Sequence, residues 1–279
     1  MPKVTSLIIY PVKGLGALAV QRSLAEERGF CFDRRFMLVD EHGEFLSQRN
    51  CPKMSQIWFE PTTHRAWTVH ASGFPTFDLP RVPDSGSKFP ARIWLDHVTV
   101  HHVSEEADHW FSTALSRRVR LVHMSEQDNR LIESRPGVPE GARVSFADGY
   151  PILLTSEESL VDLNARMLDS IPMNRFRPNI VVSGLNPFEE DEWDEIAIGD
   201  THLKIVKPCK RCEVTTIDQV TAEKHKDQEP LRTLSTFRKS GGGVFFGQNL
   251  IVLRPGFVEV GQEVHVLKRN PQARLIKNS

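Results

Sequence analysis

Four cysteines among 279 residues, at positions 31, 51, 209 and 212, are too few and too unevenly spaced for the disulfide framework of a secreted scaffold. A reducing compartment is expected. No apolar run approaches the roughly 20 residues that cross a bilayer. Met1-Pro2-Lys3-Val4 leads straight into the strand-like Ser6-Leu7-Ile8-Ile9-Tyr10, without the basic stretch and long apolar core of a secretory leader. The expectation is a cytoplasmic protein with no membrane partner. A formal net charge of −1 leaves no global basic field for nucleic acid. Internal repeats and low-complexity tracts are also missing.

What is present reads as a β-rich chain with frequent turns. Apolar runs at 4–10, 17–21, 35–39, 45–49, 54–59, 66–70 and 92–101 recur about every ten residues, as in a small barrel or sandwich of short strands. Ser104 reads as the N-cap of a helix over 104–116, with Glu105 and Glu106 in its first turn and Ala107, Trp110, Phe111 and Leu115 at helical spacing. A strand at 120–124 follows. The polar segment 128–140, with Pro136, Gly137 and Pro139, reads as a linker. Beyond it, strands at 151–154 and 178–182, a helix over 157–168 and a hairpin pairing 195–198 with 202–206 give a mixed second half. It continues with a strand at 213–218, a short helix near 230–237, and strands at 245–252 and 257–267. The expected division is a β-barrel-type domain over 1–125, a linker over 126–147, a second domain over 148–268, and a basic tail over 269–279 carrying Arg269, Arg274 and Lys277 just after Lys268.

Three segments carry chemistry. Cys209-Lys210-Arg211-Cys212 pairs two thiols with basic neighbours, and adjacent positive charge favours the thiolate, which is both a soft ligand and a nucleophile. A structural zinc site lacks its other two ligands, because Cys31 and Cys51 are isolated. A thioredoxin-like pair would sit at a helix start, whereas Val214-Thr215-Thr216-Ile217 favours a strand. Arg175-Phe176-Arg177-Pro178-Asn179 offers guanidinium forks suited to a phosphate, or simply a solvated strand end. Tyr10-Pro11-Val12-Lys13-Gly14 puts a lysine before a glycine that lets backbone approach an anion, without being a Walker sequence. Arg34, Arg35 and Arg49 add positive charge in the same region. His101, His102 and His109 show no metal spacing, and Gly241-Gly242-Gly243 reads as a loop.

Taken in order, these segments resemble one family. Tyr10-Pro11-Val12-Lys13, Asp33-Arg34-Arg35-Phe36-Met37-Leu38-Val39 and Gln48-Arg49-Asn50-Cys51-Pro52 look like the N-terminal β-barrel domain of MOSC proteins. Leu153 to Leu160, Phe176-Arg177-Pro178-Asn179, Trp193-Asp194-Glu195, Ile198-Gly199-Asp200, Cys209-Lys210-Arg211-Cys212 and Phe246-Gly247-Gln248 look like the MOSC β-barrel domain itself, with peripheral helices. The chain resembles the group containing amidoxime-reducing components and bacterial hydroxylaminopurine reductases.

The resemblance implies a molybdenum-cofactor (molybdopterin) oxidoreductase that reduces hydroxylaminopurines, amidoximes and hydroxylamines to amines or amidines plus water. Cys212 is implied as the catalytic metal ligand. Lys13, Arg35, Gly149, Tyr150, Arg177, Asn179, Lys210 and Arg211 are implied as cofactor contacts, with Lys13 and Arg35 reaching its phosphate. Gly14 stands where relatives carry a phosphate-binding serine, and Asp148-Gly149-Tyr150 lacks a hydroxyl pair, so mainly backbone contacts are expected there. The chain shows no cysteine cluster for a fused iron–sulfur domain, so the electron donor is expected to be a separate ferredoxin or cytochrome b5-type protein. Two other readings remain at this stage: a sulfur carrier using a Cys212 persulfide, and a non-catalytic binder of anions or nucleotides.

Overall fold

The first apolar run forms β1 (Lys3–Ile9), in which burial of Val4, Leu7 and Ile9 shows the alternation slipping by one residue. A bulge between Val4 and Ser6 makes the slip and keeps both parts of the strand facing the core. The structure is a computed structural model that describes residues 1–62, 65–83 and 86–270. The first half continues through β2 (Leu18–Val20), β3 (Arg22–Glu26), β4 (Gly29–Phe30), β5 (Phe36–Val39), β6 (Ile57–Pro61), β7 (Ala66–Ala71), β8 (Phe77–Pro80), β9 (Lys88–Ile93), β10 (Asp96–His102), α1 (Glu105–Leu115) and β11 (Arg120–His123). The second half holds β12 (Ile152–Ser156), α2 (Glu157–Asn164), β13 (Ile180–Ser183), β14 (Trp193–Ile198), β15 (Thr201–Lys210), α3 (Leu231–Phe237), β16 (Lys239–Ser240), β17 (Gly243–Arg254), β18 (Gly256–Glu259) and β19 (Val264–Arg269). The fold is β-rich and mixed α/β, as the sequence implied.

Among the described residues the largest sheet runs β19-β14-β15-β17-β12-β13-β1-β2, with β16 on β17. A second runs β5-β11-β10-β9, and two smaller ones run β18-β3-β4 and β6-β7-β8. The halves of the chain therefore interlock: β1 pairs with β13, and β18 returns from the far end to pair with β3. The boundary drawn at 125/126 does not follow a boundary between sheets. One apolar cluster extends from Val4 and Trp67 through Ile152 and Trp193 to Val264, so both halves share a core.

Local chemistry sets the element ends. Ser104 accepts a hydrogen bond from the Ala107 N–H at 3.1 Å, and α1 stops where Ser116 turns left-handed at φ 52°. Such a cap contributes about 1 kcal/mol. Helix α2 ends at Asn164, short of 168, because the Asn164 amide takes both the N–H and the carbonyl of Ile171 at 3.0 Å. The strand expected over 213–218 is instead a 3-10 turn, Glu213–Thr216. The hydroxyls of Thr215 and Thr216 bond back to the carbonyls of Cys212 and Glu213, which gives these β-branched residues a local alternative to a ladder. The strand expected over 45–49 ends at a single bridge by Phe45, because Asn50 Oδ1 accepts from the Ser47 N–H and turns the chain. Segment 126–147 has no regular strand or helix but is firmly seated. Buried Arg130 donates to the carbonyls of Ser145, Ala147 and Asp148 and pairs with Asp96 at 2.7 Å. Of the expected basic tail, Arg269 lies in β19 and pairs with Glu189, whereas Arg274 and Lys277 fall outside the described residues.

His102 also departs from the sequence reading. Its Nε2 lies 2.9 Å from Asp108, with Glu105 nearby, so an acid partner is present that spacing alone did not show. The Leu121 N–H also bonds Asp108, making the group a tie between β10, α1 and β11.

Behind α2, Glu190 is fully buried and accepts from Ser159 at 2.8 Å and Ser156 at 3.1 Å. Burial, reinforced by the adjacent Asp191 charge, pushes its carboxyl up to about 7 against the pull of the two hydroxyls. A carboxyl normally titrating near 4.5 thus keeps its proton in the folded state where the unfolded chain has lost it. Stability should fall as pH rises from about 4.5 to 7 and level off above, by up to about 3 kcal/mol from this group. Thermal denaturation across that range should show the fall in the wild type and a flatter profile in Glu190→Gln.

Candidate active site

One cleft gathers the chemistry-bearing segments. Lys13, Gly14, Arg34 and Trp94 from the first half face Asp148, Gly149, Tyr150, Arg177, Asn179 and the 209–212 loop across a space of about 910 Å³, open mouth included. The interlocked sheets explain the convergence. Tyr10-Pro11-Val12-Lys13 leaves the end of β1, Asn179 leads into the neighbouring β13, and Asp148 to Tyr150 lead into β12, which pairs with β13.

Tyr10 lies at the centre. Its N–H donates to Asp33 at 2.8 Å and its hydroxyl donates to the Pro178 carbonyl at 3.1 Å. The Arg34 and Arg177 guanidiniums both stack on its ring, at 4.4 and 4.2 Å from the centroid. Burial pushes the Tyr10 phenol up to about 12, although both guanidiniums pull the other way. Arg34 also pairs with Asp33 at 2.6 Å and donates to Asn179 Oδ1 at 3.0 Å. Arg177 donates to the Leu15 carbonyl at 2.7 Å and to Gln219 at 3.2 Å, and burial lowers it to about 10, leaving it cationic at neutral pH. Both arginines adopt left-handed backbone, φ 49° and 55°, as does Trp94 at 57°. Such conformations cost on the order of 1 kcal/mol or more in non-glycine residues and cluster at functional sites.

Lys13 is buried, donating to the Phe146 carbonyl at 2.9 Å and to Asp148 at 2.5 Å. Burial lowers its ammonium and Asp148 partly restores it. The cleft itself disfavours the Asp148 charge, yet Lys13 beside it holds the carboxyl well below the usual carboxylate range. Asp148 therefore contributes a charged side chain, 72% exposed in the mouth, where mainly backbone contacts were expected. Gly149 has open space where a Cβ would stand, and Tyr150 accepts a hydrogen bond from Arg135 at 3.0 Å.

Cys209 and Lys210 end β15, and Cys212 starts the 3-10 turn. The two thiols are unequal. Arg211 donates to the Cys209 sulfur at 2.9 Å and to the Phe176 carbonyl at 2.7 Å. Among the described residues no such donor holds Cys212. Behind them Phe176 and Phe246 stack at 3.9 Å, while Gly247, at φ 76°, leaves no room for a Cβ against the Leu154 carbonyl, 2.7 Å away.

Of the residues named from the sequence, Lys13, Gly149, Tyr150, Arg177, Asn179, Lys210, Arg211 and Cys212 line the cleft. Arg35 does not. Its side chain turns to Glu26 at 3.1 Å, because the left-handed backbone at Arg34 sends Arg34, rather than Arg35, into the cleft. Asn179 is largely committed within the protein: Oδ1 accepts from Arg34 and the Leu153 N–H, and Nδ2 donates to the Ile8 carbonyl. Arg49, read from the sequence only as added positive charge, also lines the cleft, as do Gln48 and Trp94, which the sequence did not mark as site residues; Gln48 and Gln219 form a reciprocal amide pair at 3.0 Å that joins the two halves.

The donor set suits an anionic, metal-bearing pterin. Among the described residues, five cationic side chains (Lys13, Arg34, Arg177, Lys210 and Arg211) line the cleft with the Asp148 carboxylate and the thiols of Cys209 and Cys212, while Arg49 lines it beside Trp94. The Arg211 Nε is buried without a partner among the described residues. A soft sulfur with surrounding hydrogen-bond donors matches a molybdenum centre with a phosphate arm.

The family comparisons cover the same segments. The MOSC N-terminal beta barrel domain matches residues 1–118, and the MOSC domain matches residues 141–265. The chain is 30% identical to mitochondrial amidoxime-reducing component 1 of Homo sapiens, over 95% of this chain and 82% of that protein. It is 31% identical to mitochondrial amidoxime reducing component 2 of Rattus norvegicus, over 94% and 82%. It is also 30% identical to molybdenum cofactor sulfurase of Homo sapiens, over 96% of this chain but 32% of that protein. Among solved structures, YUAD protein from Bacillus subtilis aligns with 96% of this chain and 98% of its own, at 13% identity and a TM-score of 0.44.

Arg34→Ala should weaken binding of inorganic pyrophosphate by at least about tenfold, roughly 1.4 kcal/mol. Arg35→Ala should leave it within about twofold while lowering Tm through loss of the Glu26 pair. Isothermal titration calorimetry and thermal denaturation separate the two, and equal losses of affinity would contradict this placement.

Proposed function

The chain belongs to the MOSC family, with a MOSC N-terminal β-barrel domain ahead of its MOSC domain, and from this we propose that it is a molybdenum-cofactor-dependent reductase of N-hydroxylated compounds. The observation that carries the reading is Cys212, a thiol without a donor among the described residues, set in a strongly cationic cleft shared by both halves of the chain. We assign the first domain to 1–125, a seated connector to 126–147, and the MOSC domain to 148–268.

Bound there, the cofactor supplies the two-electron chemistry that breaks an N–O bond. The net reaction takes R–NHOH, two electrons and two protons to R–NH2 and water. The electrons come from a separate ferredoxin or cytochrome b5-type protein. Cys212 serves as the protein's metal ligand. Lys13, Arg34 and Arg177 balance the cofactor's negative charge, with Lys210, Arg211, Gly149 and Tyr150 walling it. Arg34 and Arg177 arrive already oriented by Tyr10, Asp33, Leu15 and Asn179, so little reorganisation is needed on binding. Lys13 and Asp148 together are near neutral, and an incoming phosphate competes with Asp148 for the lysine. No helix among the described residues is long and apolar enough to cross a membrane. The assignment to the cytoplasm belongs to this proposal.

Similarity to molybdenum cofactor sulfurase favours a second reading, in which Cys212 carries a persulfide. That protein is about three times as long as its matched part, so its whole activity is not carried across.

Cys212→Ala should lower reduction of benzamidoxime and 6-hydroxylaminopurine by at least about a thousandfold, roughly 4 kcal/mol in the barrier. Cys209→Ala should keep most of the activity, since its sulfur is held by Arg211. Undiminished turnover by Cys212→Ala overturns the reductase assignment. Transfer of sulfur from a cysteine desulfurase to Cys212 in pterin-free protein that reduces neither compound would favour the carrier.

A further inference from the structure

At the mouth of the cleft, the hairpin between β9 and β10 closes in two residues, since Ile93 pairs with Asp96. The first of them, Trp94, has φ 57°, the position where such turns normally carry glycine. The strain places an indole on the cleft wall, with its Nε1 donating to Asp148 at 3.2 Å and its edge against Phe45 at 4.6 Å. Arg49 lies over that indole, 4.6 Å from its centroid.

Arg49 differs from the other first-half cations that line the cleft. Lys13 is paired with Asp148 and Arg34 with Asp33. Arg49 has no carboxylate partner among the described residues. Its backbone is fixed on both sides, by Asn50 bonding the Ser47 N–H and by Gln48 bonding the Gly14 carbonyl and Gln219. A guanidinium held over an aromatic ring spends no N–H on that contact and keeps its donor fork for an oxyanion, which it can hold bidentately.

We propose that Arg49, positioned by Trp94, is the specificity residue for substrates whose planar N-hydroxylated group carries an anionic substituent, a phosphate or a carboxylate. This rests on the reductase reading and names its substrate class. The anions expected for the cofactor have Lys13, Arg34, Arg177, Lys210 and Arg211, so Arg49 serves a second anion at the mouth. The substrate's negative group binds Arg49 while its N–O end points inward, and the selectivity is a difference in binding.

The test compares matched pairs with cofactor-loaded enzyme: 4-carboxybenzamidoxime against benzamidoxime, and 6-hydroxylaminopurine riboside 5′-monophosphate against the riboside. The wild type should favour the charged member by about tenfold or more in kcat/KM, mainly through KM. A preference confined to one pair identifies carboxylate or phosphate as the recognised group. Arg49→Gln should bring the ratio close to one while retaining wild-type molybdenum and pterin content, and Arg49→Lys should restore part of it. A wild type with no preference, a ratio unchanged in Arg49→Gln, or loss of bound pterin in Arg49→Gln overturns the inference while leaving the reductase reading intact. Failure to reduce any of the four compounds overturns both.

Discussion

Two arginines sharing one aromatic ring set the terms for the site. Arg34 and Arg177 come from opposite halves of the chain, and both stack on Tyr10. Like charges this close repel, and burial strengthens the repulsion. The protein offsets it with Asp33 against Arg34, with carbonyls and amides against both, and with the electron-rich face of the ring. Both backbones are also left-handed at these residues, a further cost borne by the surrounding fold. An arrangement that costs this much and lines a cleft is readily explained by an anion that completes it.

The topology makes the arrangement rigid. Tyr10 follows the strand that pairs with β13, and Asn179, just ahead of β13, bonds Arg34 and bridges the backbones of Ile8 and Leu153. Arg34 cannot shift without disturbing hydrogen bonds in the largest sheet. Arg130 does the same for the other wall, holding the carbonyls of Ser145, Ala147 and Asp148 in place. A β-rich chain with two small halves thereby builds a preorganised cationic cleft at their junction, where each half alone would supply an incomplete set.

Much of this was legible in the sequence where function rests on short motifs. Lys13, Arg177, Lys210, Arg211 and Cys212 lie in segments whose order carries the family resemblance, and the structure brings them together. Helix α1 was legible because Ser104, the acidic first turn and the apolar spacing all agree. The failures have a common physical origin in long-range or single-dihedral effects. Choosing Arg35 over Arg34 depends on one left-handed residue that no periodicity reveals. Gln48 and Trp94 reach the cleft through pairings between distant turns. The 213–216 turn defeats β-propensity because threonine hydroxyls supply local hydrogen bonds. Even the inequality of Cys209 and Cys212 is tertiary, resting on Arg211 and Phe176.

Metal and pterin analysis of protein freshly purified from a host that makes the cofactor tests the central claim most directly. About one molybdenum per chain, with a pterin released on denaturation and an X-ray absorption signature of a protein sulfur bound to the metal, is the predicted result. Fully folded protein from that host containing neither molybdenum nor pterin would contradict it.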